Sequence, residues 1–156
     1  MEPSPKVCLY NRYSKNEPLV KEKMKSITVG EEVYALLSPL KNLKEGTEWF
    51  GDRIESLQAS RMNYPIGKSF RVHHHILNPR TIKRTQEAFI VISGRIAVDV
   101  YDNKPMLLGT LEAGPGDAIF VYRGGHGVRI LEDAVLYEVK AGCYTTVSED
   151  KEFKDV

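Results

Sequence analysis

The chain is poor in cysteine, in net charge and in long apolar runs, and each shortage removes a class of function. Its two cysteines, Cys8 and Cys143, lie far apart and form no CxxC pair. A dithiol redox motif is therefore not indicated, and two such residues in an intracellular protein are more often free thiols than a bridge. The 22 basic residues are matched by 21 acidic ones, leaving a formal charge of +1. No overall field favours nucleic acid or an anionic membrane as partner. No run reaches transmembrane length, and the charged start Met1-Glu2-Pro3-Ser4-Pro5-Lys6 is not followed by a signal-type apolar stretch, so the expectation is a cytoplasmic protein. Neither GxxxxGK[ST] nor a strand-to-helix glycine fingerprint occurs, and no phosphate loop is implied. Internal repeats and low-complexity segments are also lacking.

What is present is concentrated. All four histidines fall in two short segments, Arg71-Val72-His73-His74-His75 and Gly124-Gly125-His126-Gly127. Side chains alternate faces along a strand, so His73 and His75 project together and His74 points away. Glu87 opens the apolar run Ala88-Phe89-Ile90-Val91-Ile92 and can supply a carboxylate from a neighbouring strand. With His126 as the fourth member, three imidazoles and one carboxylate suit a divalent Fe, Mn, Zn, Ni or Cu ion, with positions left open for water or substrate. The competing reading is four unrelated residues: a lone strand histidine is more often hydrogen-bonded than ligating, and a strand-opening glutamate is usually solvated.

Length and composition fit one domain with a real core. Residues 1–26 read as an N-terminal arm, irregular or weakly helical, and residues 27–156 as a single all-β domain. Strands are expected at Val33–Leu37, within Ile54–Met62, and at Phe70–His75, Ala88–Ile92, Ile96–Tyr101, Pro105–Leu111, Ala118–Val121, Gly127–Leu131 and Ala134–Val139. Turns are expected at Gly94, Asp102-Asn103-Lys104, Ala113-Gly114-Pro115-Gly116-Asp117 and Glu132-Asp133. Many short strands at such even spacing predict a sandwich or barrel.

Between the histidines and Glu87 runs the basic stretch Asn78-Pro79-Arg80-Thr81-Ile82-Lys83-Arg84. Arg80 and Arg84 can fork onto a carboxylate or phosphate of an anionic small molecule; a solvated basic loop is the plain alternative. Gln58 and Arg123 are further candidates for contacting such a ligand, and Tyr122, Glu87 and Glu138 for moving a proton. Glu138 and Lys140 share a strand face and form either an inward polar pair or an exposed ion pair.

These residues resemble the cupins. Gly67, His73, His75, Glu87 and Gly94 follow the family's first motif with a longer gap between His75 and Glu87, and Gly116 to His126 follows the second without its proline. The tail from Tyr137 to Tyr144, with Glu149-Asp150-Lys151-Glu152-Phe153, is similar to the ending of the WbuC-type cupins. The resemblance spans roughly residues 33–153. It implies a double-stranded β-helix, or jelly-roll, barrel, a bound divalent metal, a homodimer, and a place beside polysaccharide or sugar-nucleotide enzymes. Two functions fit: a metal-dependent isomerase, epimerase or dioxygenase acting on a small sugar-derived or carboxylated metabolite, or a non-catalytic module that binds a ligand or metal. Fold resemblance alone does not choose between them.

Overall fold

The computed structural model describes residues 24–144 and 146–154, together with the backbone of residues 6–9. Over these residues the chain is mostly β, with one short helix. Nine strands are formed: β1 (Lys6–Leu9), β2 (Lys25–Val29), β3 (Glu32–Pro39), β4 (Gly46–Phe50), β5 (Ala59–Asn63), β6 (Glu87–Tyr101), β7 (Leu107–Ala113), β8 (Asp117–Val121) and β9 (Gly125–Lys140). The helix α1 spans Val147–Asp150. No helix among the described residues is long and apolar enough to cross a membrane.

The main sheet runs β1-β2-β3-β8-β6-β7, with β9 on the other side of β6, and every pairing is antiparallel. Alternation divides its side chains between two cores. Ala35 and Leu37, Ile119 and Val121, and Phe89 and Val91 enter the larger core, which also takes Ile27, Val98, Val100 and Leu111. Their neighbours Leu36, Phe120, Tyr122 and Ala88 point the other way, onto Phe50 and the β4–β5 ribbon. Because one core draws residues from β2, β3, β6, β7 and β8, the sheet must curl around it. The result is a curled antiparallel half-barrel.

β6 and β9 run together through an irregular stretch of the curl. Ala88–Ile92 and Ile96–Tyr101 are not two strands joined by a hairpin at Gly94; they are halves of one β6, and Gly127–Leu131 and Ala134–Val139 are likewise halves of one β9. Three register shifts cluster between Val91 and Ile96. Such bulges bend a ribbon and increase its twist without ending the pairing. Gly94 has φ 75°, and a Cβ there would lie 2.0 Å from the Asp133 carbonyl oxygen. Close backbone approach at this position therefore requires glycine. The expected turn at Glu132-Asp133 is the opposite side of the same bulge.

Other expectations also change. Residues 64–86 contain no strand, although Phe70–His75 was expected to form one. Pro65 and Pro79 bracket the segment, each lacking an N–H for a ladder, and among the described residues no neighbouring edge pairs with it. Of Ile54–Met62 only Ala59 onward is strand, because Asp52 closes a turn by accepting from the Ile54 and Glu55 backbone N–H groups. The arm is not wholly irregular: Lys6–Leu9 pairs with β2, and β2 itself begins at Lys25, so a boundary after residue 26 cuts through a strand. The weak helical pattern read over residues 18–26 lies outside the described residues as far as residue 23, and its end, Lys25 and Ser26, is strand. The expected turns at residues 102–104 and 113–117 are present, closed by the Asp102 and Asp117 side chains.

On the outer face, Asp99 accepts from Arg129 Nε at 2.6 Å and Thr110 Oγ1 at 2.6 Å, tying β6 to β9 and β7 at once. Arg129 first, with Thr110 assisting and burial opposing, holds the Asp99 carboxyl below its ordinary value. A carboxylate depressed in the folded state contributes stability above its unfolded pKa and loses it as pH falls through the folded value. Asp99→Asn should therefore lower the denaturant midpoint at pH 7 while reducing the further loss on acidification to about pH 2.5; the two proteins' midpoints converging at low pH is the check. Gly94→Ala should cost about 3 kcal/mol, since backbone strain and a backbone clash combine. Gly30→Ala, also at positive φ but with nothing within 4 Å, isolates the strain at about 1 kcal/mol. Equal losses in chemical denaturation would contradict the tight approach at Gly94.

Candidate functional site

His126 is the second residue of β9 and Lys140 its last, which in a straight strand would separate them by about 45 Å. Both nonetheless reach Glu87. His126 Nε2 lies 2.7 Å from Glu87 Oε2, and Lys140 Nζ lies 3.4 Å from Oε1. Glu87 and Lys140 are cross-strand neighbours, whereas His126 arrives from across the concave interior because the ribbon has folded back. Gly124 makes the entry possible: its φ is 76°, and a Cβ would meet the Tyr101 carbonyl oxygen at 2.1 Å and the Tyr34 ring at 2.9 Å.

Glu87 is only 4% exposed. Its Oε2 contact with His126 is short but not aligned as a hydrogen bond, so this buried oxygen has no aligned donor. A buried carboxylate oxygen without a donor is costly and calls for an explanation. The His126 ring is the largest influence holding the Glu87 carboxyl below its ordinary value; burial opposes it, and Lys151 and Lys140 add to it. Phe89 packs beside the imidazole with ring centroids 5.7 Å apart. Lys140 is held in turn by Asp150 of α1, and its ammonium sits 5.2 Å over the Tyr144 ring. Asp150 first, then Glu87, raises the Lys140 ammonium above its ordinary value.

The sequence candidates divide by face. Glu87, His126 and the exposed Glu138 share the concave side, because Glu138 pairs with Phe89 in register. Tyr122 does not: it is buried among Leu36, Phe50 and Phe120 on the opposite side, one residue beyond the Val121 that pairs with Glu87. Arg123 is engaged by Glu32 and Glu55, and Gln58 donates to the carbonyls of Asp52 and Glu55, so both stabilise the 52–58 loop. Gln86, next to Glu87 and pointing the other way, accepts from the Leu57 N–H at 2.7 Å and donates to Tyr122 O. Arg80 and Arg84 are exposed in the strandless segment.

His73 and His75 do lie together, with ring centroids 5.2 Å apart, but in that same exposed segment. Among the described residues no three His, Cys, Asp or Glu side chains converge as a metal-binding group. The structure thus assembles half of the expected ligand set. A cavity lined by Lys41, Lys44, Glu48 and Arg61 sits at the β3–β4 loop and shares no lining residue with the Glu87 site.

Asp150 and Lys151 are the site neighbours that sequence reasoning missed, and Lys140, read there as pairing with Glu138, meets Glu87 and Asp150 instead. Their signal was visible as a cation ending an apolar strand and as the charged tail 149–153. No protein-family model, no curated protein and no solved structure matches the chain.

Replacing His126 by alanine should let the Glu87 carboxyl titrate at a higher pH, read by carbon-detected side-chain NMR. An unchanged titration would mean that the lysines alone set it.

Proposed function

We propose that this chain is a small cupin that holds a divalent metal on its concave face and acts there on a small sugar-derived or carboxylated metabolite, as an isomerase, epimerase or dioxygenase. The observation that carries the reading is the buried Glu87 Oε2, which lacks an aligned donor and stands beside an imidazole nitrogen. Both are ligand-type atoms, and a cation between them would satisfy each. His73 and His75, already paired with each other, would complete three imidazoles and a carboxylate. The donor set fits Fe, Mn, Zn, Ni or Cu.

When bound, such an ion polarises a carbonyl or hydroxyl of the substrate. The residues of the chain divide the remaining work. Glu138, exposed on the same face, is the group able to take or give a proton. Lys140, pinned by Asp150, adds to the effect of His126 and Lys151 in keeping Glu87 ionised and therefore able to ligate. Phe89 restricts the His126 ring. Arg80 and Arg84 are the guanidiniums available to an anionic handle. A role in polysaccharide or sugar-nucleotide metabolism accords with the resemblance of the tail.

A non-catalytic binding module is the second reading, favoured by the burial of Tyr122 away from the concave face. That placement leaves the face with fewer proton carriers than an isomerase site commonly has.

Elemental analysis of protein purified without chelator or affinity nickel tests the reading. Near-stoichiometric metal is expected in the parent, and almost none in His75→Ala or His126→Ala, both still folded by circular dichroism, because an open site adds less to stability than a closed structural one. Parent protein that refuses added Fe(II), Mn(II), Ni(II) and Zn(II) would overturn it.

A further inference from the structure

The near-balance of charge over the whole chain conceals a division. Residues 65–85 hold Lys68, Arg71, Arg80, Lys83 and Arg84 and no acid, so the rest of the sequence carries 17 of the 22 bases against all 21 acids. Among the described residues, none of these five cations stands in a salt bridge. The segment that carries them forms no strand, and every residue from 65 to 85 is exposed. It is apolar as well as basic: Val72, Ile76 and Leu77 are 91%, 93% and 98% exposed, and Ile66 is completely so. Aliphatic side chains gathered in water at such exposure mark a surface that another molecule or phase covers.

The outer face of the β4–β5 ribbon continues this surface. Phe50 and Ala59 turn toward the second core, so by alternation Thr47 and Trp49, with their register partners Met62 and Ser60, face outward. Trp49, the only tryptophan of the chain, is 64% exposed, and Met62 is exposed beside it. Thr47 Oγ1 and Tyr64 Oη are hydrogen-bonded at 2.8 Å, and Phe70 meets the Tyr64 ring edge-on with centroids 5.1 Å apart. Lys68 Nζ lies 5.6 Å from the Tyr64 centroid and 5.7 Å from that of Phe70. These contacts tie the start of the basic segment to the ribbon face that carries Trp49.

We infer that this combined surface docks on an anionic lipid bilayer, lying on it without crossing it. Charge complementarity selects a negative partner, because five cations with no acid among them are drawn to anionic headgroups. The side chains between those cations select lipid from other polyanions. Ile66, Val72, Ile76 and Leu77 have no π-face on which a nucleic-acid base could stack, whereas at a bilayer boundary they enter the acyl region while neighbouring cations stay at the phosphates. Tryptophan and tyrosine sit at headgroup level, with the ring toward the lipid and the polar group in water. Backbone outside a ladder must keep its N–H and C=O groups hydrated, so the segment rests at the interface and goes no deeper. This surface is independent of the proposed metal: Trp49, Arg71, Val72, Leu77 and Lys83 are not among its ligands.

Sedimentation with vesicles of equal parts phosphatidylcholine and phosphatidylglycerol, against vesicles of phosphatidylcholine alone, is the test. It is read together with the emission of Trp49, a local signal because the chain has no other tryptophan. The parent should pellet with the anionic vesicles and shift its emission to the blue, and should stay in solution with the neutral ones. Arg71→Ser/Lys83→Ser should bind the anionic vesicles roughly 25-fold more weakly, since each cation near such a surface contributes about fivefold. Val72→Ser/Leu77→Ser changes no charge and alters only exposed side chains, yet should weaken binding roughly tenfold or more. Full affinity in either variant overturns the inference, and so does pelleting without an emission shift, which would place the docked face elsewhere. A parent that ignores the anionic vesicles also overturns it. If that parent holds a single-stranded oligonucleotide instead, the surface is one for nucleic acid; if it self-associates until Val72 and Leu77 are replaced, a second copy is what covers it.

Discussion

The concave face depends on the folding back of the β6–β9 ribbon. Two long antiparallel strands would ordinarily carry Glu87 and His126 to opposite ends of the molecule. Three register shifts and a glycine pressed against the Asp133 carbonyl turn them toward each other instead. Bulges keep the ladder mostly paired while re-aiming the side chains beyond them, so the bend sacrifices few backbone hydrogen bonds. The apolar core inside the curl, with Ile96, Val98 and Val100 fully buried, supplies the driving force that holds it closed.

Once the ribbon is bent, the polar groups follow from neighbour relations. Glu87 is a strand-opening residue whose register partner is Lys140. The tail then folds so that Asp150 meets Lys140, giving a line of alternating charge from α1 to the imidazole. Gln86, one residue earlier, does the opposite task on the opposite face, anchoring the 52–58 loop through Leu57 and Glu55. Two adjacent residues thus divide the sheet between its concave side and the side packed on the β4–β5 ribbon. That division explains why Tyr122, next to Val121 in sequence, belongs to the side packed on the ribbon, whereas Arg123, beyond the end of β8, meets the 52–58 loop through Glu55.

Much of this was legible from residues alone. Short apolar runs bounded by turn signals gave the strands at Val33–Leu37 and Ala118–Val121, and the turns at Asp102-Asn103-Lys104 and Ala113–Asp117 gave the β6–β7 and β7–β8 connections. Glu87 and His126 could be singled out because a carboxylate at the head of an apolar strand and a histidine among three glycines are both unusual. Gly94 was misread as a hairpin because positive φ serves a turn and a bulge equally well; only the partner strand distinguishes them. The β4 strand, Gly46-Thr-Glu-Trp-Phe50, was missed, since a two-stranded ribbon half in solvent shows little periodicity. Pairing of Phe70–His75 could not be read either, because strand-like composition does not say whether an edge is available.

The most direct measurement of the central claim is a nuclear Overhauser spectrum of the His126 ring, assigned by comparison with His126→Ala. The fold-back predicts cross-peaks from the imidazole to the Phe89 ring, whose centroid lies 5.7 Å away, and to the Glu87 methylenes. A folded protein showing His126 contacts only to its ladder neighbours Val100 and Tyr101, and none to Phe89 or Glu87, would contradict it.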